Sequence, residues 1–152
     1  MTRPQRIVSG GQTGADRAAL DWALARGVPC GGWCPKGRRA EDGALDARYP
    51  LTETPSEDYA QRTEWNVRDS DATVILSLAA SLTGGSRLTR ELAAKHRKPC
   101  LHLHPGLDAP RLLADFVRDQ RVRVLNVAGP RASNEPGVYG YVQQVLEAAF
   151  EG

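Results

Sequence analysis

Residues 72–78, Ala-Thr-Val-Ile-Leu-Ser-Leu, do most to limit what this chain can become. The run is nearly continuous in apolar residues and does not alternate with polar ones, which suits a strand in a sheet covered on both faces. Such sheets are predominantly parallel, and parallel neighbours need crossover connections, so helices must separate the strands. The rest of the chain follows that plan. Ile7 to Ser9 is a short apolar run that ends at Gly10-Gly11, and a helical pattern follows with Ala19, Leu20, Ala23 and Leu24 on one face and a stop at Gly27. Val28 to Trp33 reads as a second short strand, broken by Pro29 and Gly31-Gly32. Ser56 stands as the N-cap of a helix from Glu57 to about Asp69, and Ser86 as the N-cap of another from Arg87 to His96. Pro99 precedes a strand from Cys100 to Leu103, Asp108 caps a helix through Arg118, and Val122 to Val127 makes a further strand. The last helix carries Val138, Tyr141, Val142, Val145, Leu146, Ala149 and Phe150 at i, i+3, i+4 spacing, a stripe read as core. The expectation is an α/β chain: a Rossmann-like three-layer fold around a mainly parallel, doubly wound sheet of about five strands, with 72–78 central. Residues 35–56 hold Pro35, Gly37, Gly43, Pro50 and Pro55 without a sustained period and read as one long loop, of the kind that is usually functional or disordered.

At 152 residues the chain has the length of one domain, 1–152, large enough to bury a core without metals or disulfides. No apolar run approaches the ~20 residues of a membrane span, and the start Met-Thr-Arg-Pro-Gln-Arg lacks the apolar core of a secretory signal. The expected setting is cytoplasmic, with no membrane partner. Three cysteines, Cys30, Cys34 and Cys100, are too few for a disulfide framework. Twenty basic residues face 18 acidic ones with no long block of either sign, so nothing demands a nucleic-acid partner. Seventeen of the 20 are arginine, the better fork for phosphate or carboxylate, although GC-rich codon usage is the preferred reading of the bias.

Three glycine-containing turns fall at the carboxyl ends of strands, where open parallel sheets hold ligands. They are Ser9-Gly10-Gly11-Gln12-Thr13-Gly14-Ala15-Asp16-Arg17, Thr83-Gly84-Gly85-Ser86 and Ala128-Gly129-Pro130-Arg131-Ala132-Ser133-Asn134. Glycine lets a ligand approach the main chain, and the N-terminus of a following helix favours an anion, so the turns point to a phosphate or carboxylate site. Neither a Walker loop nor the Gly-x-Gly-x-x-Gly dinucleotide fingerprint is present.

Several of these segments resemble one family. Ile7 to Leu24, Cys34-Pro-Lys-Gly37 with Ala40-Glu-Asp-Gly43, Trp65-Asn-Val-Arg-Asp-Ser-Asp71, Leu82-Thr-Gly-Gly-Ser86 and Asn126 to Tyr139 look like the molybdenum carrier family, a YpsA-related branch of the SLOG superfamily of Rossmann-like nucleotide-ligand binders. The resemblance spans nearly the whole chain. It implies a single SLOG-type domain, homo-oligomerisation, and a small phosphorylated ligand, with molybdenum cofactor as cargo held through its pterin phosphate. The Lonely Guy phosphoribohydrolases are similar too if the C-terminal segment is moved to the front, so the order looks circularly permuted. On that likeness Arg62 and Glu91 stand where those enzymes carry their catalytic arginine and glutamate, while Arg87 and Leu88 replace their Gly-Thr. Glu91 would polarise the ribose or activate water, and Arg62 would stabilise charge developing at the glycosidic bond. A third likeness joins Ser9-Gly-Gly-Gln-Thr-Gly-Ala-Asp16 to the glycine turn of the DNA-processing protein A family, which binds single-stranded DNA. That mode wants a basic groove with stacking aromatics, and only 6% of the residues are aromatic.

The candidate ligand residues are therefore Gly10, Gly11, Gln12, Thr13, Gly14, Asp16, Thr83, Gly84, Gly85, Ser86, Gly129 and Arg131, with Lys36 or Arg38 reaching in from the 35–56 loop. Arg17 can pair with Asp21 at i+4. Asn66 and Asp69 either serve the site or cap their helix and hold the crossing loop. Cys100, His102 and His104 share a strand face, and with Cys30 and Cys34 they could compose a zinc site, but the spacing fits no standard finger and structural roles are the reading kept. Trp22, Trp33 and Trp65 are hard to place together in a core this small, which gives indirect support to oligomerisation.

Overall fold

Apolar runs become strands and amphipathic segments become crossovers in the computed structural model, which describes residues 3–151. In chain order the elements are β1 (Arg6–Val8), α1 (Ala15–Arg26), β2 (Cys30–Gly31), β3 (Trp33–Cys34), β4 (Arg39–Ala40), β5 (Gly43–Ala44), β6 (Thr52–Glu53), α2 (Tyr59–Arg68), β7 (Ala72–Leu76), α3 (Gly84–Lys95), β8 (Cys100–Leu103), α4 (Ala109–Asp119), β9 (Val124–Ala128) and α5 (Val138–Phe150). The main sheet has five strands in the order β2-β1-β9-β7-β8, all parallel. Ile7 lies opposite Leu125, and Val74 opposite Val127. All five residues of β7 are buried, as its unalternating sequence requires, yet the middle place belongs to β9. The last strand returns between β1 and β7, a nonlocal pairing that its own sequence does not announce.

Helices α1, α4 and α5 pack together on one face and α2 with α3 on the other, which gives three layers. The α5 stripe enters the core, where Val138, Val142, Leu146 and Phe150 are almost fully buried. On α1 the buried face is Ala15, Ala18, Ala19, Leu20, Trp22 and Ala23, and Leu24 is left exposed. Trp22 donates Nε1–H to Glu147 and packs on Phe150, while Trp33 and Trp65 meet edge to face with centroids 4.8 Å apart. All three tryptophans thus find partners within one chain.

Two expected caps move. The helix after Ser56 begins at Tyr59, because Gln61 reaches back to the Ser56 N–H and the Ser56 hydroxyl accepts from Asp58 N. Helix α3 begins at Gly84 with Thr83 at the N-cap, so Ser86 lies buried inside the first turn. The 35–56 stretch is an ordered double ribbon, with β3 parallel to β6 and β4 antiparallel to β5. Arg38 organises it by donating to the carbonyls of Leu45, Asp46, Tyr49 and Leu51. Those side-chain-to-backbone bonds leave no periodic signature in the sequence.

Candidate functional site

The carboxyl ends of β1, β7 and β9 open on one edge of the sheet, and a cavity of about 190 Å³ lies there between the three strand-end turns and the facing sides of α2 and α3. Gly10, Gln12 and Asp16 line it from the first turn, Thr83, Gly85 and Ser86 from the second, and Gly129 and Arg131 from the third. Arg62 and Thr63 of α2 complete the wall facing them. Among the described residues no aromatic ring lines the cavity.

Arg62 is 6% exposed. Its Nη1 donates to the Gly10 carbonyl at 2.6 Å and its Nε to Thr63 Oγ1 at 3.2 Å, which pins the guanidinium at the cavity wall. Asp16, 7% exposed, accepts from Gln12 N at 3.2 Å. Burial drives the Asp16 pKa above the ordinary aspartate value, against the pull of the Arg62 charge and the Gln12 N–H. Burial lowers the Arg62 pKa in turn, with Asp16 opposing. The Ser9 hydroxyl faces Asp16 yet meets no partner at full hydrogen-bond geometry. Gln12 Oε1 accepts from Thr13 N at 3.0 Å and Glu41 N at 2.8 Å, so the amide orientation is set and buried Nε2 is left without an acceptor. A buried unmet donor costs roughly 1–3 kcal/mol, a strain that ligand sites tolerate.

Across the cavity, the N–H groups of Gly84, Gly85 and Ser86 find no acceptor among the described residues, and Thr83 makes no side-chain cap. That is the free, positively polarised end of a twelve-residue helix. A Cβ added at Gly84 or Gly85 would meet nothing within 4 Å.

Other expected site residues fall elsewhere. Glu91 is exposed on α3 and paired with Arg87 at 3.3 Å, because at 100° per residue it points away from the face that carries Ser86 and Thr89 into the cavity. Lys36 is exposed outside the lining, its N–H bonded to the Ser56 carbonyl, and Arg38 is spent on the ribbon. Gly11 packs against Leu45 and Leu51, and Gly14 against the backbone of residues 130–132. Thr13 bonds to Glu41 and accepts from Ala132 N. Arg17 pairs with Asp42 and the Gly11 carbonyl instead of Asp21, whose carboxylate takes Tyr49, Tyr139 and Arg48. Asn66, by contrast, lines the cavity and also clamps both backbone groups of Trp33 at 2.8 and 3.0 Å, while Asp69 lies outside the lining and accepts from the Trp33 indole.

The structure adds residues that sequence reasoning missed. Glu135 accepts from Leu78 N at 2.7 Å and Ala79 N at 3.1 Å, and Glu41 accepts from Ser133 Oγ, so two carboxylates clamp the third turn from opposite sides. Ser77 lies 2.6 Å from His102 Nε2 and gives its one hydroxyl hydrogen to the Ala79 carbonyl at 2.7 Å. His102 is therefore the donor to Ser77 through Nε2. Among the described residues no three His, Cys, Asp or Glu side chains cluster to hold a metal. Tyr59, at the start of α2, gathers Arg39, Arg62 and Arg131 around its ring. Apart from Tyr59–Arg62 and Ser77–Ala79, these contacts join residues at least 20 positions apart, too far to read from sequence spacing.

A three-layer α/β fold with a cavity at the carboxyl ends of its parallel strands defines a Rossmann-like class, in which ligands are held at that edge. The model of the circularly permutated YpsA SLOG family matches residues 7–150, and the chain belongs to that family. A solved structure, named Putative molybdenum carrier protein and coming from Syntrophus aciditrophicus, is similar at 45% identity and TM-score 0.94, over 97% of this chain and 95% of that one. No curated protein matches the chain.

Proposed function

We propose that the chain binds a small phosphorylated, nucleotide-like ligand in this cavity, its phosphate on the first turn of α3. The observation that carries the reading is the buried Arg62 guanidinium, in no direct ion pair among the described residues, lining the same cavity as an uncapped helix N-terminus. Phosphate is matched by free backbone N–H groups and by a guanidinium fork. A cavity of about 190 Å³ is smaller than the ~300 Å³ at which drug-sized ligand pockets begin, so the phosphorylated end is enclosed and the rest extends through the mouth.

The neighbour's name suggests molybdenum cofactor as a particular version. The donors present fit a phosphate ester of a pterin, whose metal would arrive with its own ligands. Hydrolysis of a nucleoside monophosphate would need an acid–base group beside the glycosidic bond, and Glu91 is not supplied to the cavity. Three free cysteines favour a reducing, cytoplasmic setting, and among the described residues no helix is long and apolar enough to cross a membrane. Homo-oligomerisation belongs to the same proposal on the family likeness, and light scattering tests it.

The direct test is thermal unfolding with AMP, ADP and molybdenum cofactor in separate samples. A ligand at 100 times its Kd adds about 2.7 kcal/mol, a Tm rise of several degrees. No rise with any of the three, at concentrations far above millimolar, overturns the reading. A rise that survives Arg62→Leu would move the ligand out of this cavity.

A further inference from the structure

At the mouth of the cavity three guanidinium groups converge on one ring. The guanidinium carbons of Arg62, Arg131 and Arg39 lie 5.0, 5.4 and 5.6 Å from the centroid of Tyr59. Among the described residues none of the three takes part in an ion pair, while eight other arginines do. Arg39 has only a long bond of 3.4 Å, to the Glu57 carbonyl. The nearby Glu41 carboxylate is taken up by Thr13 and Ser133. A tyrosine face offers each cation roughly 0.5–1 kcal/mol at an exposed site but neutralises no charge, and the carboxylates that act on the cluster, Glu41 on Arg131 and Asp16 on Arg62, do so without a direct ion pair among the described residues. Packing gives no reason for that arrangement at the open end of a ligand cavity.

We infer that Arg39, Arg131 and Tyr59, with Arg62, form a second anion subsite that receives the outer phosphoryl group of a diphosphate. The inference rests on the proposed function and extends it from one phosphate to two. Arg62 and Arg131 line the cavity, whereas Tyr59 and the exposed Arg39 lie outside the lining and are joined to them through the Tyr59 ring, so the cluster runs from the cavity toward solvent. That is the direction in which a ligand too large for the cavity must continue. A terminal phosphoryl group carries close to two negative charges and three acceptor oxygens, enough to bridge several forks, where a carboxylate brings one charge and two oxygens. Arg39 rides on the β4–β5 ribbon, which Glu41 ties to the first and third turns, so the subsite is assembled from segments distant in sequence.

The experiment is isothermal titration of the wild-type chain and of Arg39→Ala with ADP, AMP, inorganic pyrophosphate and inorganic phosphate. Arg39 is exposed, so its removal leaves the fold intact. The subsite requires ADP to bind the wild type at least tenfold more tightly than AMP, and Arg39→Ala to erase that advantage while leaving AMP affinity unchanged. Equal ADP and AMP affinities in the wild type, or equal losses for both in the variant, overturn the subsite and leave the one-phosphate reading standing. Pyrophosphate binding that depends on Arg39, with neither nucleotide bound, keeps the subsite and removes the nucleotide reading. Silence from all four probes removes both.

Discussion

Glycines stand between strand and helix in all three turns, yet those of the first and third turns meet surroundings opposite to those of the pair at Gly84 and Gly85. A Cβ on Gly129 would stand 2.2 Å from the Leu76 carbonyl oxygen and 2.6 Å from Ala15 Cβ, and one on Gly14 would stand 2.5 Å from the Pro130 oxygen. There the missing side chain lets strand ends and turns pack against one another. At Gly84 and Gly85 a Cβ would meet nothing within 4 Å, so the chain leaves the space beside the first turn of α3 open, and Gly85 lines the cavity there. Glycine between strand and helix marks close approach, and only the surroundings say whether the approaching group is protein or ligand.

The sharpest way to break that contrast is to add methyl groups on both sides of it. Gly129→Ala should cost about 3 kcal/mol and lower Tm by about 10 °C, because the obstructing atom is backbone and cannot rotate away. Gly14→Ala should cost about 2 kcal/mol, since its φ of +78° adds strain to the contact with residue 130. An unchanged melting curve for either variant would show that these turns are not packed as described.

Gly85→Ala should behave in the opposite sense. Its stability should stay within about 1 kcal/mol of wild type, with a small gain from helix propensity, while AMP affinity should fall about tenfold as the methyl fills cavity space. A drop in Tm with affinity intact would reverse the assignment of the two regions.

A smaller effect concerns pH. Burial raises the Asp16 pKa in the folded chain above its unfolded value, so between those values the folded state holds a proton that the unfolded state has lost. Stability from this group is present below the unfolded pKa and is lost as pH rises through the folded one. Unfolding of wild type and Asp16→Asn, compared from about pH 4 to pH 8, should show the wild type losing ground to the variant as pH increases. A constant difference across the range would remove the proton from Asp16.

The smallest effect is expected at the clamp. Hydrogen bonds from Ser133 and Thr13 hold the Glu41 pKa below the ordinary glutamate value. Glu41→Gln should leave Tm nearly unchanged and raise amide exchange at residues 39–44 and 131–134. Unaltered exchange would mean that other contacts fasten the ribbon.

Much of the fold was legible because its signals are local. The buried strand at 72–76, the α5 stripe and the glycine turns are all written in runs of fewer than fifteen residues. The candidate cavity was legible in outline, since the glycine turns and Arg62 that line it stood out in the sequence or through family likeness. Glu91 was misplaced because a spacing counted from Gly84 does not say which side of a helix faces inward. Arg39, Tyr59, Glu41 and Glu135 were missed because their roles depend on partners up to 92 positions away.

By itself, then, the amino-acid order determined that strands would alternate with helices and that flexible turns would end the strands, since backbone preference and hydrophobic period act over one element. The tertiary structure decided that β9 sits in the middle of the sheet, that Glu91 faces solvent, and that three arginines share one aromatic ring. Those outcomes depend on how layers pack and where charges meet in space, and neither distance nor desolvation is a property of a local stretch of sequence.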